Sequence, residues 1–370
     1  MERLMGFPLV LAALATTAHA EEMSLSIAHQ ELSLIPVAED LESPWGMAVL
    51  PGGLFVISER TGQIQTFYNG ERQEVAGLPG IHVEEQGGLL DIAASPEYPD
   101  TGWLYFTYSS GDEDSTATAL ARGRLAGDRL VDVEELFEQN RRSEPGPNAG
   151  SRLAWMGDDT LLMSVGDRNS PDRAQDTQDH AGSILRLDPQ GLAPENNPLL
   201  EDAGYLPELY SWGHRHVLGL AVDETRNNVW AVEAHDNGRG ALVLVERGER
   251  HGSPVEEGSD LLEEAASSDL FTEEEVIQPA YRFPEDVSPS GLAVVNGEHY
   301  PDWQGNLIVG GLESEQLYRF EVNGGDITDM EELLDETQGP VREVRQGPDG
   351  YLYVLIGDES GTLYRLEPEE

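Results

Sequence analysis

The sequence contains no cysteine and no lysine: arginine alone supplies the 22 basic residues set against 70 acidic ones. Without cysteine no disulfide framework staples the fold, so a large core has to supply the stability. A net charge of −48 repels nucleic acid and anionic lipid and excludes both as partners. The one long apolar run, Phe7–Ala15, is too short to cross a bilayer, which takes about 20 residues. Amphipathic helical periodicity is nearly absent. The exception is the acidic insert Ser259–Val276, where Leu261, Leu262 and Ala265 predict one short helix.

What is present begins with an export signal. Arg3 gives a positive start, Phe7–Ala15 an apolar centre, and Ala18-His19-Ala20 a small-residue cleavage site. Residues 1–20 are therefore predicted to be removed, leaving a soluble periplasmic or secreted protein from Glu21. The acidity runs along the whole chain. It predicts adaptation to high salt, where screening shortens charge repulsion to about 3 Å at 1 M. A repeller of acidic substrates or a cation buffer is the other reading.

A theme then recurs: an apolar strand, a Pro/Gly/Asp turn and a second apolar strand. The copies start at Trp45, Leu89, Arg152, Leu218, Gly291 and Val344. Several copies add a third strand, as at Gly62–Phe67, Gly182–Leu187, Glu315–Phe320 and Gly361–Leu366. Runs rich in Val, Ile, Leu and aromatics between Gly, Pro and Asp read as strands. Repetition of this kind predicts an all-β fold, a six-bladed β-propeller, as a single domain over residues 21–370. Two β-sandwiches are the alternative, but no Pro/Ser/Gly linker divides the chain. The last repeat is one strand short, and Leu32–Val37 has no local partner. That segment is predicted to close the ring on the last blade, with Pro36 tolerated at a sheet edge. Long loops are read at Arg141–Ser151, Asp167–Gly182, Glu233–Leu242 and Glu246–Ser290, and loops of that length are usually functional or disordered. Pro145–Ser170 stands out: a loop, a hairpin and a strand ending in Gly166-Asp167-Arg168 make a plausible site rim.

Ser43–Ala48 and Glu85–Pro96 resemble the soluble quinoprotein glucose/sorbosone dehydrogenases. So do, in the same order, Ala149–Leu153, Val165–Asp167, Gly182–Leu187, Pro194–Pro198, Ser211–Arg215, Gly219–Ala221, Tyr300–Trp303 and Arg342–Leu355. The resemblance implies a six-bladed propeller that binds pyrroloquinoline quinone (PQQ) and calcium and oxidises the C1 hydroxyl of aldoses. It also implies a sugar substrate and an electron acceptor that the sequence does not identify. In the family a His takes the hydroxyl proton, an Asp orients that His, an Arg polarises the quinone, and a Lys with further Arg residues holds the cofactor carboxylates. Carried over, Asp167 takes the Asp position and Arg215 the quinone-facing Arg. Gln86 stands beside the cofactor, and Arg342 is one of two carboxylate-binding arginines. The catalytic His position is Asn148, which has no proton-accepting nitrogen. The cofactor-pairing Lys position is Glu313, the second Arg is Pro340, and the calcium-holding pair aligns with His235 and Asp236. Calcium held by main-chain carbonyls survives side-chain change. Arg168, Arg239 and Arg250 are candidates to replace the lost Lys, and His214, His216, His235 and His251 are candidates to replace the lost base. Three functions stay open: a PQQ-dependent sugar dehydrogenase, a propeller that binds a sugar, small ligand or partner without quinone chemistry, and a calcium-dependent lactonase-like hydrolase.

Overall fold

Leu89–Ala94 and Trp103–Gly111 show how each blade begins: an apolar strand, a tight turn, and an antiparallel return whose inward residues are fully buried. A computed structural model describes residues 23–27, 30–252, 276–333 and 339–368. The predicted signal segment lies outside them, as does the predicted helix in the acidic insert apart from Val276. Six small antiparallel sheets are present. From the channel outwards, blade one is Pro44–Leu50, Leu54–Glu59, Gln63–Tyr68 and Glu71–Val75. Blade two is Leu89–Ala94, Trp103–Gly111, Thr116–Leu125 and Leu130–Glu138. Blade three is Leu153–Trp155, Leu161–Val165, Ser183–Leu187 and Leu209–Trp212. Blade four is His216–Asp223, Asn228–Ala234, Gly240–Leu244 and Tyr281–Phe283. Blade five is Pro289–Val294, Leu307–Gly311, Leu317–Asn323 and Asp326–Glu332. The innermost strands touch one another in sequence order, and the sixth touches the first, so the sheets form a closed six-bladed propeller.

The sixth blade closes the ring. Its strands Val341–Gln346, Leu352–Gly357 and Gly361–Pro368 are joined by Gln30–Leu41, which pairs Leu32 with Pro368 and Leu41 with Gly361. Leu32 and Leu34 are fully buried in the core of this blade. The closure is as expected, with one addition. Met23–Ile27 lies outside Gln30–Leu41 as a fifth strand, but it covers only residues 30–34. Pro36 therefore still stands on an open edge, beside an irregularity between Pro36 and Ala38. The expected long loop Glu233–Leu242 is corrected. The second strand of blade four runs to Ala234, and the third restarts at Gly240, leaving only a short turn. Ala241–Leu244 are apolar enough to pair with Trp230–Glu233, and the glycines of the turn hid that strand.

Candidate active site at one channel mouth

The end of the channel where the innermost strands begin is lined by polar loops. At its centre Gly166 lets the 148–150 loop lie against the strand end that carries Asp167. A Cβ on Gly166 would stand 2.0 Å from the Asn148 carbonyl oxygen, so any other residue would push the two apart. Asn148 itself sits at φ 55°, left-handed backbone that Asn tolerates better than most residues. Its Nδ2 donates to Asp167 Oδ1 at 2.9 Å, and its main-chain N–H donates to Gln86 Oε1 at 2.8 Å. The N–H of Asn169 also goes to Asp167 Oδ1, at 2.8 Å. Asp167 is 1% exposed, and burial raises its carboxyl above the usual range despite the two hydrogen bonds and Arg215.

Arg215 enters from blade four with its main chain clamped on both sides. Its carbonyl accepts from the Asp167 N–H at 2.9 Å, and its N–H donates to Glu233 Oε2 at 3.1 Å. The other oxygen of Glu233 is 2.6 Å from His214 Nδ1, and His214 Nε2 is 2.8 Å from the Ser211 hydroxyl. These three side chains are buried, so they fix Arg215 in place and present nothing to a ligand. The Arg215 guanidinium pairs with Asp236, which is exposed. Arg342, from blade six, reaches Asp358 at 3.3 Å and lies over the Trp45 ring at 5.2 Å. Glu313 is exposed on the rim, with Oε2 only 2.4 Å from where a Cβ on Gly238 would stand. Gln86, Asn148, Asp167 and Arg215 thus form one continuous bonded set. Glu313 and Arg342 share the mouth without a hydrogen bond to that set.

The histidines proposed as replacement bases are placed against that role. His214 has both ring nitrogens engaged. His235 lies 3.7 Å from Glu233 in the wall, and its side chain is only 5% exposed. His251 accepts from the Glu246 N–H, stacks on His214, and is held neutral with its pKa pushed down to about 3 by burial and by His214. His216 Nδ1 accepts the Gly150 N–H at 3.3 Å, so the hydrogen of the neutral ring is on Nε2 and the ring is a donor. Burial, with Arg342, Arg152, Arg168 and Arg215 behind it, pushes its pKa down to about 3. Of the candidate lysine replacements, Arg168 is buried between blades two and three on Thr118 and Gln139, and Arg239 pairs with the exposed Glu285. Arg250 donates to Gln175 at 2.7 Å.

For the implied calcium pair, Asp236 gives its side chain to Arg215 and its carbonyl to the Arg239 N–H. Among the described residues no three His, Cys, Asp or Glu side chains gather as a metal centre. The opposite mouth holds a cavity of about 290 Å³ lined by Ala48, Ala93, Ala154, Ala221 and Ala293. Of its polar side chains, Arg345 and Gln346 are already hydrogen-bonded, and the Trp155 indole N–H is buried without a partner.

Sequence reasoning missed a buried charge cluster beneath the site. Arg152 pairs with Glu343 and donates to the carbonyls of Trp45, Leu218 and Arg342. Arg345 grips both oxygens of Asp91 at 3.1 Å. The only sequence signal was an arginine opening an apolar strand.

Comparison with known proteins places this geometry among relatives. Residues 41–365 match the profile of the Glucose / Sorbosone dehydrogenase family. The chain is 30% identical to the aldose sugar dehydrogenase YliI of Escherichia coli over 347 residues, covering 90% of this chain and 92% of the relative. Among solved structures, the apo-form of soluble aldose sugar dehydrogenase from Escherichia coli superposes with a TM-score of 0.84 at 28% identity. That match covers 91% of this chain and 100% of the other. The PQQ-bound form of aldose sugar dehydrogenase from Streptomyces coelicolor gives 0.74 at 26% identity, covering 93% and 99%.

Proposed function

Because the chain belongs to the glucose/sorbosone dehydrogenase family, we propose that it is an exported, PQQ-dependent aldose dehydrogenase acting on the C1 hydroxyl of a sugar. The observation that carries this reading is that two arginines, Arg215 and Arg342, converge on one mouth in a chain of net charge −48. Among the described residues the guanidinium groups of Arg215 and Arg342 pair with the solvent-exposed Asp236 and Asp358. The buried Arg168 has no carboxylate partner among the described residues and leaves its Nε without an acceptor. Burial first, and then the surrounding arginines, push the pKa of His216 down to about 3.

A mouth of this kind suits a ligand with several carboxylates, because guanidinium–carboxylate bonds are strong where water is scarce. The residues fit PQQ on that ground. Arg342 would hold one of its acidic groups and Arg215 would face the quinone, with Gln86 beside it. When bound, PQQ supplies a two-electron acceptor for the hydride leaving C1. Arg215 aims a fixed positive charge into the mouth, and the neutral His216 adds an N–H donor. Glu313 puts a negative charge on the rim and weakens the hold on an anion. Calcium at His235 and Asp236 would rest on main-chain carbonyls, since the Asp236 side chain is committed to Arg215. Export rests on the N-terminal signal pattern, and a saline habitat on the charge.

The test is titration of the purified apo-protein with PQQ and calcium, followed by the quinone absorbance. Saturable uptake followed by aldose-dependent reduction of an artificial electron acceptor is expected. A protein that takes up no PQQ at any calcium concentration ends the dehydrogenase reading.

A further inference from the structure

With an asparagine where a base is needed, the proton of the substrate hydroxyl must go elsewhere. The mouth offers few takers. Both oxygens of Glu233 are bonded, Asp236 is paired to Arg215, His214 has both ring nitrogens engaged, His216 and His251 each accept a main-chain N–H, and His235 Nε2 faces Glu233 at 3.7 Å. Asp167 differs. Both of its hydrogen bonds, from Asn148 Nδ2 and from the Asn169 N–H, fall on Oδ1. Oδ2 accepts none among the described residues. We propose that Asp167 is itself the general base of this protein, taking the C1 hydroxyl proton on Oδ2 while Asn148 holds Oδ1.

This rests on the dehydrogenase reading and changes the role of one residue within it: the carboxylate that would orient a histidine works directly. The step balances. The hydroxyl O–H bond breaks and its proton goes to Oδ2. The C1–H bond breaks and its electron pair leaves as hydride to an ortho-quinone acceptor, and the C1–O single bond becomes a carbonyl. The charged groups that face Asp167 are Arg215, which lowers its pKa, and Glu233, which raises it. Burial outweighs both, so the carboxyl is a stronger base than an exposed aspartate. The Asn148 amide holds the carboxylate in place at φ 55° on its own residue.

Asp167→Asn tests the assignment in the quinone-loaded protein. It should lower kcat by about 10² to 10⁴, the usual worth of a general base, while PQQ uptake stays intact. In the parent protein the acid limb of kcat/KM should fall in the carboxylate range, above the ordinary aspartate value. Asn148→Ala removes a hydrogen bond that favours the charged form, so it should move that limb to higher pH. A readout independent of turnover is the ¹³C titration of the Asp167 carboxyl in the apo-protein. It should show the same raised value and the same upward move in Asn148→Ala. An Asp167→Asn protein that keeps its kcat, an acid limb near about 6.5 that points to an imidazole, or an Asp167 that titrates at or below the ordinary value overturns the proposal. If no PQQ is taken up, the dehydrogenase reading falls and this assignment falls with it. If PQQ is taken up and sugar is oxidised with Asp167 dispensable, only the assignment falls.

Discussion

Arg152 in the third blade and Glu343 in the sixth form a buried ion pair across the channel, 191 residues apart in sequence. The two blades stand opposite each other in the ring. Asp91 of blade two lies 3.8 Å from the same guanidinium and is gripped by Arg345 of blade six. The pair therefore ties opposite sides of the ring, beside the small apolar cluster of Trp45, Leu90, Ala149, Leu218 and Ala234. Removing one partner should leave an uncompensated charge. Glu343→Leu is expected to cost about 3–5 kcal/mol. The double variant Arg152→Met with Glu343→Leu should cost much less than the sum of the single changes. Urea unfolding of the four proteins gives the coupling, and strict additivity would mean that the pair is not a unit.

The second prediction concerns ring closure. Leu34 sits at 0% exposure on Gln30–Leu41, packed into the sixth blade. Leu34→Ala should cost about 2–5 kcal/mol as a large-to-small change in a core. Deleting Met23–Ile27 should cost less, because that strand adds only an edge to a blade already closed. Thermal melts of both rank the two effects, and the reverse order would mean that the outermost strand closes the ring.

Much of this architecture was legible in the sequence, and the reason is local. Leu161–Val165 and Leu352–Gly357 are buried along their whole length, so composition alone marks them. The outermost strands are different. Glu71–Val75 buries only its last residue and Asp326–Glu332 fully buries none, so composition does not mark them as strands. Closure by Leu32–Val37 could be read because the last repeat lacked a partner. Met23–Ile27 could not, since no blade needed it. At the site, Asn148, Asp167, Arg215 and Gln86 were found through motif order, and they do form one bonded set. The clamp of Glu233 and His214 on Arg215 was invisible, because it joins residues 19 apart, one in a loop and one on a strand. The arginine–carboxylate cluster was hidden for the same reason at longer range.

The third prediction is a pH dependence. His216 and His251 are neutral in the fold with pKa values near 3, against 6.5 in an unfolded chain. The unfolded state therefore binds protons that the folded state refuses. The stability due to each ring is complete above about pH 6.5 and is lost as pH falls toward 3, at up to about 1.4 kcal/mol per pH unit for each group. Glu233, held below its ordinary value by His214 and His235 in spite of burial, adds loss in the same direction once pH drops below the carboxylate range. Asp167 is raised and opposes it there. The imidazole contribution is best read between about pH 6.5 and 5. His251→Gln should flatten the slope of unfolding free energy in that window by close to one proton. An unchanged slope would mean that the ring is protonated in the folded state.

The last prediction puts an imidazole where the relatives' pattern has one. Asn148 lies at φ 55°, and histidine is among the residues that accept left-handed backbone, so Asn148→His should fold. Its Cα stays beside the Asp167 strand end, because Gly166 fixes the approach of the two segments. Asp167 Oδ1, which now accepts from the Asn148 amide, is then free to accept from the ring N–H and hold the other nitrogen toward the mouth. An imidazole is a better base than a carboxylate by roughly two to three pK units. With partial proton transfer in the transition state, the gain in kcat should be on the order of tenfold. The acid limb of the rate profile should move at the same time from the carboxylate range to about 6.5. Faster turnover with an unmoved limb would mean that the substitution acts on binding. A moved limb without faster turnover would mean that proton removal does not limit the rate. Neither change, with PQQ bound, would place the reacting hydroxyl away from residues 148 and 167.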